Sequence, residues 1–221
     1  MTHPSPDHHV ATHHDRQSKA ATEASYWDER YGSAQQLWSG DPNSALVAAV
    51  ANRTPGRAVD VGCGEGADAV WLAARGWDVT ALDVSAVALE RAARHAREAG
   101  VSVRWLHAGL IEAQLESGSA DLVSAQYPVL ARTPDAVAER ILLEAVAPGG
   151  ILVIVHHADF QVDDPEHHGF NPADYVGPWD VAPLLNENWQ IEVNENRPRA
   201  ITTGGGAHHT EDVVLIARRL R

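Results

Sequence analysis

The stretch Ala58-Val59-Asp60-Val61-Gly62-Cys63-Gly64-Glu65-Gly66 decides the fold of this chain. A short apolar run ends in glycines at every second position. A helical pattern follows from Ala67 to Arg75, and Gly76 stands where a helix end favours glycine. The reading is a strand, a tight turn and a helix start. Glycine has no Cβ, so the turn can take positive φ and a ligand can lie against the backbone. Asp60 closes the strand just before the loop. Asp83 closes the next apolar run, Val79-Thr80-Ala81-Leu82. It lies about 20 residues beyond the loop, where nucleoside-binding α/β folds place an acid on the ribose hydroxyls.

Two ligand classes use such a loop. Gly62-x-Gly64-x-x-Ala67 formally satisfies the dinucleotide fingerprint with its permitted final alanine. Gly66 and Asp60 point elsewhere. A pyrophosphate beside Asp60 would meet a negative charge, whereas a ligand with an amino group and a sulfonium would be favoured by it. The run Asp60-x-Gly62-x-Gly64-x-Gly66 resembles the first motif of class I methyltransferases that use S-adenosylmethionine (SAM). Within that class the closest look is to the small-molecule thiopurine/tellurite-resistance group.

Outward from the loop, strand and helix patterns alternate from Arg57 to Val155, which implies a parallel sheet with helices on both faces. The strands are expected at Ala58–Val61, Asp78–Asp83, Val101–Leu106, Asp121–Ala125 and Ile151–Val155. Ser85 is expected to cap a helix ending at Gly100, and Thr133-Pro134 to open another. After a long polar segment, His156 to Pro178, a short helix is expected over Asp180–Glu187. Trp189–Val193 and Asp212–Ala217 then read as closing strands around the loop Gly204-Gly205-Gly206. The resemblance implies a Rossmann-like, doubly wound, seven-stranded sheet of order 3-2-1-4-5-7-6 with its last strand antiparallel.

The N-terminal part is read in two pieces. Residues 1–24, rich in His, Pro, Ser and Thr, are expected to form a disordered tail. Residues 25–221 are expected to form one domain. Its first part, 25–52, carries Tyr26-Trp27-Asp28-Glu29-Arg30-Tyr31 and Leu37-Trp38-Ser39-Gly40-Asp41-Pro42-Asn43, with Asn43 as a helix cap. The resemblance implies that this segment is a helical lid over the cofactor, with Trp27, Arg30 and Trp38 against it. It also implies that 156–188 is an insertion on the acceptor side.

Ligands of open α/β sheets sit beyond the carboxyl ends of the strands at the switch point. Gly62, Gly64, Asp83, Gly109 and Gln126 all fall at such ends. With the resemblance, the cofactor-contacting set is Asp60, Gly62, Cys63, Gly64, Gly66, Asp83, Val84, Gly109, Leu110 and Gln126, besides the lid residues. Position 109 departs from the family. An acid commonly stands there and holds the adenine amino group, but this chain has Gly109-Leu110, so backbone groups must hold the adenine edge. Tyr127 and His156 follow the fourth and fifth strands and are the candidate bases or acceptor-positioning groups.

The 221 residues carry a formal charge of −13, and Lys19 is the one lysine. Such a surface repels phosphate backbones, so no nucleic-acid partner is expected. Cys63 is the single cysteine, which excludes an intrachain disulfide and fits a reducing, cytoplasmic setting. No apolar stretch approaches a membrane span and no secretory signal is present. Paired histidines at 156/157, 167/168 and 208/209 invite a metal reading. Adjacent residues of an extended chain point to opposite sides, so no metal site is expected. The sum is methyl transfer from SAM to a small-molecule acceptor in detoxification or secondary metabolism, leaving S-adenosylhomocysteine, by a monomer or homodimer. Competing readings are a non-catalytic SAM-binding protein and a nicotinamide-dependent oxidoreductase.

Overall fold

The computed structural model describes residues 13–158, 174–199 and 208–221, with side chains from residue 23 onward. The elements in chain order are α1 His13–Gly32, α2 Ser44–Val50, β1 Arg57–Val61, α3 Ala67–Ala73, β2 Asp78–Asp83, α4 Ala86–Glu98, β3 Arg104–His107, β4 Ala120–Gln126, α5 Val137–Ala145, β5 Val146–His157, α6 Pro178–Val181, β6 Trp189–Pro198 and β7 Glu211–Arg219. The sheet has seven strands in the order β3-β2-β1-β4-β5-β7-β6. β1 lies parallel to β2 and β4, and β4 parallel to β5. β7 runs antiparallel to both β5 and β6. The expected topology is therefore observed, with the reversal of strand order beside β1.

The sheet is a two-sided core because its central strands are apolar on both faces. Side chains alternate sides along each strand. Leu152 and Ile154 of β5 join Val59 and Val61 of β1 and pack against Leu142 of α5. Ile151, Val153 and Val155 turn the other way and meet Leu46 of α2 and Leu72 of α3. Each such fully buried aliphatic side chain contributes about 1.5–3 kcal/mol.

Several boundaries differ from the sequence reading. Helix α1 begins at His13, inside the stretch expected to be a tail, and residues 1–12 lie outside the described residues. β3 starts at Arg104 rather than Val101, where it first pairs with Thr80. Thr133 is not the cap residue of α5, a position held by Ala136, but its Oγ1 does accept the Val137 N–H at 2.9 Å. The helix itself starts only at Val137 because Ala136 sits at φ 50°. The expected helix over 180–187 is instead α6 followed by a 3-10 turn, Ala182–Leu184. Asp180 occupies the third turn position of α6 and accepts the Gly177 N–H at 2.9 Å, which moves the start back to Pro178. The polar insertion from 159 to 173 and the Gly204-Gly205-Gly206 loop lie outside the described residues.

Candidate active site

The glycine loop joins β1 to α3 at the carboxyl edge of the sheet. Gly62, Gly64 and Gly66 all have positive φ, 69°, 52° and 82°. Each does so in a different setting. A Cβ on Gly62 would meet nothing within 4 Å, so this backbone faces open space. A Cβ on Gly64 would lie 2.8 Å from the Tyr31 hydroxyl and 3.3 Å from Trp38 Nε1. A Cβ on Gly66 would lie 2.7 Å from the Ala92 Cβ, where α3 packs on α4. The loop is pinned to β2, since the Gly62 and Cys63 N–H groups both donate to the Leu82 carbonyl at 2.9 and 3.0 Å.

Asp83 holds the same loop from its side chain. Its two oxygens accept the Gly64 and Ser85 N–H groups, each at 2.8 Å. Burial raises its pKa, and those two hydrogen bonds oppose the rise. Asp60 is 2% exposed, and its Oδ2 has no hydrogen-bond partner among the described residues. Burial raises its pKa well above the usual carboxylate range, and the neighbouring Asp68 and Asp83 charges raise it further. Asp68, in the first turn of α3, is also raised by burial but accepts the backbone and side-chain N–H groups of Asn43, both at 2.7 Å. Asn43 thus occupies the expected cap position of α2 with its side chain spent on Asp68. Three buried acids, Asp60, Asp68 and Asp83, thus surround one loop.

The N-terminal segment covers this loop. Asp28 accepts the Ser85 hydroxyl at 2.6 Å and the Val87 N–H at 3.2 Å. Trp38 Nε1 donates to the Tyr31 hydroxyl at 2.9 Å. Glu65 accepts the N–H groups of Leu37 and Trp38 at 3.0 Å each. Arg91 of α4 ties the arrangement together, donating to Glu65 at 2.8 Å and to the Tyr31 and Ala34 carbonyls at 2.7 and 2.6 Å. Nothing in the sequence pattern singled out Glu65, Asp68 or Arg91. Their partners are 25 or more residues away, beyond the reach of local periodicity.

A cleft of about 670 Å³ runs across the sheet edge from this loop. That is within the span of small-molecule sites, about 300–1,000 Å³. It is lined by the expected Trp27, Arg30, Trp38, Asp60, Gly62, Cys63, Gly64, Asp83, Val84, Gly109, Leu110, Gln126, Tyr127 and His156. Gly66 does not line it and serves helix packing instead. At position 109 a Cβ would lie 2.5 Å from Glu112 Oε2, so a carboxylate stands beside the glycine after all. Gln126 donates to Ser124 Oγ at 3.0 Å, while its buried Oε1 has no partner among the described residues.

The far end of the cleft is built from the ends of β4 and β5 and from the β6–β7 pair. Tyr127 takes φ 52°, a sparsely populated region for a non-glycine residue, directly after β4. Its hydroxyl donates to Asp212 Oδ2 at 2.7 Å. Burial raises the Tyr127 pKa, and Asp212 adds to the rise. His156 is 3% exposed, and its ring lies 5.4 Å from that of Trp179. Burial lowers its pKa to about 4, and His157 beside it contributes. His157, Arg199, His208 and His209 complete this end. Asp212, Arg199 and His209 were not legible as site residues, since only the closing strand pair brings them to β5. Among the described residues no group of three His, Cys, Asp or Glu side chains could hold a metal ion.

The family described as a methyltransferase domain matches residues 58–150. An uncharacterized methyltransferase of Mycobacterium bovis is 38% identical over 97 residues, 44% of this chain and 48% of that protein. The ribosomal RNA small subunit methyltransferase C of Alcanivorax borkumensis is 35% identical over 107 residues, 46% of this chain and 32% of that protein. These matches span half or less of the curated relatives' length. Among solved structures, a Burkholderia thailandensis 1,6-didemethyltoxoflavin-N1-methyltransferase with bound S-adenosylhomocysteine superposes with a TM-score of 0.65. The match covers 98% of this chain and 94% of that one at 19% identity. The site fits the cofactor of that fold, for it offers a cradle at Gly62 and an unpartnered carboxylate oxygen at Asp60. Residues 58–150 therefore match a methyltransferase domain, and the chain as a whole shares the fold of that S-adenosylhomocysteine-bound enzyme.

Proposed function

We propose that the protein transfers the methyl group of SAM to a small-molecule acceptor held at the β4–β5–β7 end of the cleft. One observation carries this reading. A single cleft joins the acid-rich glycine loop to a wall of tyrosine, histidine and arginine side chains. Asp60 and its acidic neighbours would receive the amino group and sulfonium of SAM, and Asp83 the ribose hydroxyls. Trp27, Arg30 and Trp38 would close over the cofactor. The Gly109–Leu110 backbone and Gln126 would meet the base and the methionine side. The transfer needs donor and acceptor aligned in a dry site, which the covering N-terminal segment supplies.

Tyr127 fits acceptor positioning better than base catalysis, because its hydroxyl is committed to Asp212 and its ionisation is disfavoured. His156 is uncharged at neutral pH and is a second wall group. A small acceptor is supported by the cleft volume of about 670 Å³ and by the 1,6-didemethyltoxoflavin named for the Burkholderia enzyme. An RNA acceptor is disfavoured by the net charge of −13. The reading is of a cytoplasmic enzyme of detoxification or secondary metabolism, acting as a monomer or homodimer; separately, no helix among the described residues is long and apolar enough to cross a membrane.

The test is transfer of label from methyl-tritiated SAM to a panel of phenols, heteroaromatic amines and thiols, with ribosomal RNA as a parallel arm. Label in a small molecule is the expected result. Label only in RNA would overturn the acceptor class. Binding of S-adenosylhomocysteine with no transfer anywhere would favour a non-catalytic SAM-binding protein.

A further inference from the structure

We propose that Arg199 binds an acidic group of the acceptor, a carboxylate or an oxygen anion of similar charge, through the edge of its guanidinium formed by Nε and Nη2. The proposal rests on the methyl-transfer reading above and narrows its acceptor to an anion.

Backbone pairing puts Arg199 in place. It directly follows β6, and its N–H donates to the Thr210 carbonyl at 2.8 Å, one step past the pairing of Pro198 with Glu211. Its side chain is 6% exposed and lines the cleft. Two neighbours hold the guanidinium. Its carbon lies 4.7 Å from the centroid of the Tyr127 ring, within the range of a cation–π contact. Nη1 lies 3.3 Å from His157 Nδ1 and 3.5 Å from Asp212 Oδ1.

Those contacts leave most of its donors unspent. A guanidinium carries five N–H groups in a fixed fork. The polar contacts of this one run through Nη1. Nε is buried and has no partner among the described residues, and Nη2 makes no hydrogen bond among them either. Nε and Nη2 together form the edge that offers two parallel N–H bonds, the geometry that matches a carboxylate.

Asp212 does not fill that edge. Burial pushes its pKa up, but the hydrogen bonds from His157 and Tyr127 and the Arg199 charge outweigh it, so it is a carboxylate at neutral pH. Its Oδ2 accepts the Tyr127 hydroxyl at 2.7 Å, and its Oδ1 lies closer to His157 Nδ1, at 3.2 Å, than to Arg199. The Arg199 contact is longer than the ordinary N–H···O range of about 2.7–3.2 Å and involves Nη1 alone. Asp212 thus orients the guanidinium and leaves its other edge to a ligand. A charged donor buried without a partner is costly and rare in native structures. Because Arg199 lines the cleft, the partner it lacks is one that the cleft can supply.

The charges of the cleft agree. Asp60, Asp68 and Asp83 surround the glycine loop, where a cationic cofactor would sit. Arg199 stands at the other end, with Tyr127 and the histidines. Arg30 also lines the cleft but is directed to its own helix. Its Nη1 donates to the Tyr26 hydroxyl at 3.2 Å, and its guanidinium carbon lies 5.4 Å from the Trp27 ring. An anionic acceptor would be attracted both to Arg199 and to the sulfonium that it attacks.

The test is calorimetry of the full chain saturated with S-adenosylhomocysteine, titrated with 3-hydroxybenzoate and, separately, with 3-hydroxybenzamide. The two probes share ring, hydroxyl and shape and differ in the charge of one group. The acid should bind about tenfold or more tightly than the amide, as hydrogen bonds to a charged group imply. Arg199→Gln should remove that preference while S-adenosylhomocysteine binds as before. Arg199→Lys keeps the charge without the fork and should lose most of the preference. In the native protein, nitrogen-15 NMR should show the Arg199 Nε–H signal moving with the acid and staying still with the amide. Equal binding of the two probes by the native protein, or binding of neither, would overturn the proposal. So would an acid preference that survives Arg199→Gln. Weakened S-adenosylhomocysteine binding in a folded Arg199→Gln variant would assign the edge to the cofactor's own carboxylate and overturn it as well. Failure of the native chain to bind S-adenosylhomocysteine at all would overturn the methyl-transfer reading and the proposal with it, an outcome distinct from a missing acid–amide difference.

Discussion

The Asp83 carboxylate accepts the Gly64 N–H at 2.8 Å, so the acid expected to hold a ribose also holds the loop that receives the ligand. Its second oxygen is bound to the Ser85 N–H. Asp83→Ala therefore removes two things at once. It should weaken S-adenosylhomocysteine at least tenfold by calorimetry, since hydrogen bonds to a charged group are worth about 1.5–3 kcal/mol. It should also lower unfolding free energy by about 1–3 kcal/mol in a denaturant titration, because two buried N–H groups lose their acceptor. Unchanged stability would mean that the loop does not depend on this carboxylate.

The three glycines of the loop should separate by mutation. Gly66→Ala meets Ala92 and carries a positive φ. Gly62→Ala carries the same backbone strain but meets nothing. Gly66→Ala should be the less stable of the two by about 1–3 kcal/mol, the cost of overpacking. Gly62→Ala should be the worse binder of S-adenosylhomocysteine, since its methyl projects into the cleft. Equal effects on both measurements would contradict the division of labour.

The sheet was legible because its signals are local. Apolar runs, cap residues and glycines fixed each strand of β1, β2, β4 and β5 to within a few residues, and Gly62, Gly64 and Asp83 follow from their places at strand ends. The N-terminal segment was legible only as aromatic residues without a strand role. Its anchors, Glu65 and Arg91, act across more than 25 residues and leave no periodic trace. Asp212 reads in sequence as the polar first turn of an apolar strand. Only the antiparallel register, which sets it opposite His157, makes it part of a site. Gly64 lines the cleft, and a Cβ there would also meet Tyr31 and Trp38, neighbours that the sequence pattern does not reveal.

The covering segment depends on a nearly buried ion pair. Arg91 and Glu65 side chains are 13% and 5% exposed. Arg91→Met leaves Glu65 buried without its partner, a loss of about 3–5 kcal/mol for such pairs. Hydrogen exchange at the Leu37 and Trp38 amides, which donate to Glu65, should accelerate, and S-adenosylhomocysteine should bind more weakly. Unaltered exchange at those two amides would mean that the segment is held by its aromatic packing alone.

Cofactor binding should release protons. In the free protein burial and neighbouring acids raise the Asp60 pKa, so part of the population is protonated as pH falls through that raised value. A bound cation favours the carboxylate and lowers its pKa. Binding then expels a proton, and affinity rises with pH until Asp60 is fully ionised in the free protein. Calorimetry in buffers of different ionisation enthalpy reads the proton count directly. Proton uptake, or affinity indifferent to acidification, would contradict a cation at Asp60.

The central claim is that the cleft at the Asp60–Gly66 loop is built for a cationic nucleoside and not for a dinucleotide. Parallel calorimetric titrations of the full chain with SAM, S-adenosylhomocysteine and NADH test it most directly. The account predicts saturable one-to-one binding of the first two, weakened in Asp83→Ala, and no heat from NADH. Saturable binding of NADH with none of SAM or S-adenosylhomocysteine would contradict it.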